Sequence, residues 1–135
     1  MSWREETRTA TAVAVGGVVG ATGRWCVSTI VIATDGGFPW ATFVVNVVGS
    51  ALIGVAAARL RPDTTAWAVT TTGVLGGFTT MSSFAVELDD LLDEGRGGVA
   101  LAYLGATLVV GLVVLGVARR LAGNGTPPDR DGLAT

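Results

Sequence analysis

Charge is almost absent from four long stretches of this 135-residue chain, roughly Ala10 to Ala33, Trp40 to Leu60, Thr64 to Leu88 and Gly98 to Leu121. Each is close to the ~20 residues that an α-helix needs to cross a bilayer. Water-soluble helices in a bundle need a polar stripe facing solvent, and these stretches lack one. Half of the residues are hydrophobic, 15% are charged, and the mean hydropathy is +0.57. The expected fold is therefore all-α and membrane-embedded, with four transmembrane helices in one small domain over residues 10–121. A polar lead, 1–9, precedes it and a disordered tail, 122–135, follows.

The same composition excludes several functions. There is no histidine, so histidine-based metal sites and general bases are ruled out. A single cysteine, Cys26, cannot form an intrachain disulfide and has no companions for a zinc site. The formal net charge of -2, without a basic tract, gives no footprint for nucleic acid. No nucleotide-binding loop is present, and the chain does not read as an enzyme.

Within the third stretch, GVLGGFTTMSSF (Gly73 to Phe84) is a poor helix sequence. Two adjacent glycines cost roughly 1 kcal/mol each in a helix interior, and the threonine pair adds stiff β-branched side chains. A break is expected near Gly76 to Thr80. Broken backbone at membrane depth survives where protein or a water-filled site satisfies its N–H and C=O groups, which points to an ion or substrate site. The competing reading is a glycine-rich contact between helices.

Small and polar residues also fall on defined faces. Gly16, Gly17, Gly20 and Gly23 let the first helix approach another closely, with Gly16 and Gly20 as a GxxxG pair. Arg24 costs about 2.5 to 3.5 kcal/mol if it sits at the centre of a span. It either snorkels to the headgroups or faces an aqueous vestibule. Thr42, Asn46, Gly49 and Ser50 line one face of the second span, where Asn46 serves either as an interhelical bond or as a functional donor. Tyr103, Thr107 and Gly111 form a similar stripe on the fourth, with Tyr103 also suited to an interfacial anchor.

GGVVGATGRW (Gly16 to Trp25), FPWATFVVNVVGSALIG (Phe38 to Gly54) and GGFTTMSSFAVE (Gly76 to Glu87), taken in order, resemble the signatures of the Fluc (CrcB) fluoride channels. The resemblance implies an antiparallel, inverted-topology dimer in the cell membrane, two fluoride pores, and a structural central Na⁺. The carbonyls of Gly76 and Thr79 match the positions that hold that ion. Asn46, Phe84, Ser82, Thr42, Tyr103 and Thr107 match pore positions, and Arg24 matches a vestibule arginine. Met81 stands where the family most often has a first pore phenylalanine, and Gly111 lacks a hydroxyl often found there.

Seven arginines (Arg4, Arg8, Arg59, Arg61, Arg119, Arg120 and Arg130) fall on the side of the termini, against Arg96 alone on the other. By the positive-inside rule both termini are expected in the cytoplasm. Because one sequence inserting both ways needs a balanced count, the expected assembly is a heterodimer with a homologous subunit of opposite orientation, with a homodimer as the alternative. The expected function is passive export of cytoplasmic fluoride, conferring fluoride resistance. A proton-coupled multidrug exporter is the competing reading, opposed by Glu87 lying at the exit of a span rather than deep within one. A non-conducting accessory subunit is the other.

Overall fold

A computed structural model describes residues 3–31 and 37–124. The elements in order are α1 (Trp3–Ile30), α2 (Trp40–Arg59), α3 (Thr65–Trp67), a π-wound segment (Ala68–Leu75), α4 (Gly76–Phe78), α5 (Met81–Asp93) and α6 (Gly97–Gly123). Among the described residues there is no strand. Three helices, α1, α2 and α6, are long and apolar enough to cross a membrane. Large apolar side chains such as Val18, Val19, Leu101, Leu112 and Leu121 stand exposed along them, as lipid-facing positions would. The protein is multi-pass and membrane-embedded.

Within the described residues, 3–9 of the expected polar lead are helical in α1 and continuous with the first span. Thr7 and Thr11 return their hydroxyls to the carbonyls of Trp3 and Thr7, both at 2.8 Å, which lets threonine sit in a helix with its oxygen satisfied. α6 runs two residues past the expected end of the domain, to Gly123. The rest of the expected tail, from residue 125, lies outside the described residues, as do residues 32–36.

The third stretch breaks, but not at its glycines. Gly76 and Gly77 are helical, and the extended residues are Thr79 (φ -74°, ψ 155°) and Thr80 (φ -140°, ψ 119°). What overrides helix propensity is packing. α1 lies along the π-wound segment and α4 with backbone nearly touching backbone: a Cβ on Gly77 would collide with the Gly17 carbonyl oxygen, one on Gly20 with that of Val74, and one on Gly73 would lie 2.7 Å from that of Val13. The competing reading as a helix-packing device is the one the structure adopts for Gly77, alongside the break two residues later, whereas Gly76 is exposed and a Cβ there would meet only the Thr71 carbonyl oxygen at 3.5 Å.

Contacts fix the directions. Gly16 and Gly20 of α1 face Gly73 and Val74 in rising order, so α1 runs parallel to residues 65–78. Ser50 faces Gly111, Gly54 faces Leu115, and Arg59 Nε donates to the Ala122 carbonyl at 3.0 Å, so α2 and α6 are likewise parallel. Asn46 reaches Thr80 and Thr42 reaches Glu87, which sets α2 antiparallel to the broken third stretch. The pattern is alternating, and it gathers Arg4, Arg8, Arg59, Arg61, Arg119 and Arg120 at one end. A tight turn through Gly95 (φ 71°) joins α5 to α6.

Candidate ion-conducting groove

Thr80 is held by α2. Its N–H donates to Asn46 Oδ1 at 2.9 Å and its carbonyl accepts from Asn46 Nδ2 at 3.1 Å, so one side-chain amide pairs with both backbone groups of an extended residue. Thr80 N–H thereby bonds to Asn46 instead of to the Gly76 carbonyl four residues back, the bond a continuing helix would make. Gly49 leaves the room for this, since a Cβ there would strike Thr79 Cγ2. Thr80 Oγ1 then caps α5, accepting from Ser83 N–H at 3.1 Å, and lies 3.3 Å from Ser82 Oγ. On the other side, Arg24 Nη1 donates to the Thr79 carbonyl at 3.2 Å. The guanidinium thus turns to the break.

A second polar cluster lies one to two turns further along α5. Glu87 accepts from Thr42 Oγ1 and from Tyr103 Oη, each at 2.7 Å, one hydroxyl on each carboxylate oxygen. Thr42 and Tyr103 are both buried, and Tyr103 completely so. Around them Phe84 meets the Tyr103 ring at 4.9 Å between centroids and Phe38 meets it edge-on at 5.2 Å. Phe84, Leu91, Ala100 and Tyr103 form the core here. Glu87 is therefore knit into the site and is not a free carboxylate at a helix exit. Its place at the end of a span does not set it apart from the polar interior.

An open groove of about 320 Å³ runs from the Thr80 cluster along α2 and α6, away from Glu87. Asn46, Thr79, Thr80, Met81, Phe84 and Thr107 line it, joined by Gly111 and apolar residues of α2 and α6. Most of the expected pore residues thus share one surface, while Thr42 and Tyr103 lie with Glu87 and Ser82 sits at the start of α5. Among the described residues, Thr107 Oγ1 is the buried side-chain polar atom without a hydrogen-bond partner. Such a group costs about 1–3 kcal/mol unless something else satisfies it. Met81 is 76% exposed on the groove's rim.

Among the described residues no group of three or more His, Cys, Asp or Glu could hold a metal. A cation at the break would instead meet neutral, hard backbone oxygens. That donor chemistry suits a small monovalent cation. Gly76 is exposed on this chain and its carbonyl is not taken by Thr80 N–H, whereas the Thr79 carbonyl already carries the Arg24 bond.

Sequence reasoning missed Thr80 and the role of Glu87. Thr80 had a signal, a capping hydroxyl three residues before Ser83, and Glu87 lies three residues after Phe84 on the same helical face.

The family model for CrcB-like protein, Camphor Resistance (CrcB), matches residues 11–119. The chain is 43% identical over 111 residues to "Fluoride-specific ion channel FluC 2" of Streptomyces avermitilis, covering 79% of this chain and 70% of that one. It is 41% identical over 120 residues to "Fluoride-specific ion channel FluC 1" of Streptomyces coelicolor, covering 86% and 78%. A relative from Methylobacillus flagellatus, "Fluoride-specific ion channel FluC", is 40% identical over 111 residues, covering 76% and 85%.

Proposed function

Since the chain belongs to the CrcB-like family, which is not a family of enzymes, we propose that it is one subunit of a fluoride-specific channel in the cell membrane, letting cytoplasmic fluoride leave passively. The observation that carries this reading is the groove, where Asn46, Phe84 and the unpartnered Thr107 hydroxyl converge beside a broken helix. Fluoride is small and strongly hydrated, so its passage needs donors that replace water. Asn46 has two amide hydrogens and spends one on Thr80, which leaves one for the groove. Thr107 offers an O–H, and Phe84 a positive ring edge. Beyond them, the Thr42 and Tyr103 hydroxyls point at Glu87, and an anion arriving there takes over their hydrogens if the carboxylate swings aside.

In this proposal the broken stretch counts as the fourth span. Residues 65–78 and α5 (Met81–Asp93) rise about 1.5 Å per residue, together roughly 40 Å, enough for a core ~30 Å thick. The open groove and exposed Met81 are then covered by a second subunit of opposite orientation, and the Gly76 and Thr79 carbonyls of both subunits hold a Na⁺. That ion supplies a fixed positive centre, which lowers the cost of an anion in the membrane. The gathering of arginines at one end supports a single insertion direction, with both termini cytoplasmic, and hence a heterodimer.

Fluoride efflux from liposomes, read with a fluoride electrode and a potassium ionophore, tests the channel. Efflux with chloride retained is expected once an inverted homologue is co-reconstituted. Fast efflux from this chain alone would overturn the heterodimer, and no efflux in either case would overturn the channel. Orientation is tested separately with single cysteines at Gly95 and Arg61 in a Cys26→Ser background. Each should label from one side of the membrane, and labelling from both would reject a fixed insertion.

A further inference from the structure

Arg24 is a permanent charge on an apolar helix, and among the described residues no carboxylate pairs with it. Its guanidinium goes to the Thr79 carbonyl, part-buried at the break. Thr79 supplies one of the two carbonyls assigned above to Na⁺, so one oxygen is sought by two positive charges. A carbonyl has lone pairs for two partners, but unit charges sharing one oxygen lie within a few ångströms in a medium that screens poorly.

We infer that Arg24 competes with the cation for the Thr79 carbonyl and stands in for it in the isolated subunit. The inference rests on the Na⁺ reading proposed above. Before the ion arrives, the guanidinium satisfies a carbonyl that the break leaves without a helical partner, and so supports the extended backbone of Thr79. When the ion binds, Arg24 is released, and its charge becomes free to stand in water, where it attracts anions. Arg24 is thus a positioning residue for the empty site. The exchange couples ion binding to the appearance of a mobile positive charge.

The test is equilibrium binding of radioactive Na⁺ to the purified, assembled channel in detergent, with choline as the replacement cation. Arg24→Gln is expected to bind Na⁺ about tenfold more tightly than wild type, because both the competition and the repulsion are gone. Arg24→Lys, which keeps the charge, is expected to stay close to wild type. Unchanged or weaker binding by folded Arg24→Gln overturns the inference. A measurement on the wild-type protein stands apart from the stability of any variant: phenylglyoxal modification of Arg24, located by peptide mass spectrometry. Modification is expected to be several-fold faster in Na⁺ than in choline, and equal rates overturn the inference. Absence of saturable Na⁺ binding to wild type would instead remove the Na⁺ reading itself, and the inference with it.

Discussion

The two sides of the helix break are built on opposite principles. Towards α1 the chain is closed: Gly16, Gly17, Gly20, Gly73 and Gly77 bring backbone against backbone, with no space for a methyl group at several of them. Towards α2 and α6 it is open, with a groove of about 320 Å³ and a buried hydroxyl left unpartnered. Small residues appear on both sides and do different things. On the first they remove side chains so that helices can touch, and on the second Gly49 removes one so that Asn46 can reach across to Thr80. Irregular backbone at membrane depth survives only where it is buried in protein or lines a water-filled cavity, and here the closed flank supplies the protein contact.

The comparison breaks first if the closed side tolerates a methyl group. Gly77→Ala drives a Cβ into the Gly17 carbonyl, and overpacking of this kind costs about 1–3 kcal/mol. Loss of most monodisperse protein and of all fluoride efflux is expected, whereas a wild-type melting temperature would show that α1 does not back the break. Asn46→Ala comes next. It leaves both backbone groups of Thr80 without their partner, at about 1–3 kcal/mol, and it removes a donor from the groove. Efflux should fall at least about a hundredfold with protein still recoverable, a drop that would combine roughly 2.7 kcal/mol of lost barrier lowering with the structural loss.

Tyr103→Phe is milder, because the ring stays in its aromatic nest and only the hydroxyl to Glu87 goes. A cost of about 1 kcal/mol in stability is expected. Efflux should fall about tenfold, equivalent to ~1.4 kcal/mol in the barrier. Unchanged efflux would mean that the Glu87 cluster is scaffolding. The smallest effect is expected at Gly116→Ala, where an added Cβ meets nothing within 4 Å. Thermal melting should show no loss, and a gain of up to about 1 kcal/mol from helix propensity. A loss as large as that at Gly77 would show that the contrast between the flanks has nothing to do with local space.

Much of this architecture could be read from residue order, and the failures have a common cause. Uncharged runs announced α1, α2 and α6, and the run GVLGGFTTMSSF announced irregularity. The expected range, Gly76 to Thr80, contains the extended pair Thr79–Thr80, but the glycines at its start stay helical. Propensity weighs Gly77 by its own cost, whereas the structure weighs it by what α1 gains from its lack of a side chain. Likewise Asn46 was recognisable as a donor, but not as the partner of Thr80, 34 residues away, and Glu87 was recognisable as a charge but not as the partner of Thr42, 45 residues away. Periodicity reports which face of a helix a residue occupies and is silent on what that face meets.

The extended pair Thr79–Thr80 also changes the electrostatics of the stretch it interrupts. An unbroken helix would carry its two partial charges to the two surfaces of the membrane. Cut at this point, the stretch brings the carbonyl end of residues 65–78 and the N–H end of α5 together in the interior. A helix end carries roughly half a unit charge, negative at its carbonyls and positive at its amides. The break is therefore a place of both signs, facing a cation with one half-helix and an anion with the other. Two uncharged residues can in this way prepare a low-dielectric interior for a pair of opposite ions before either has entered.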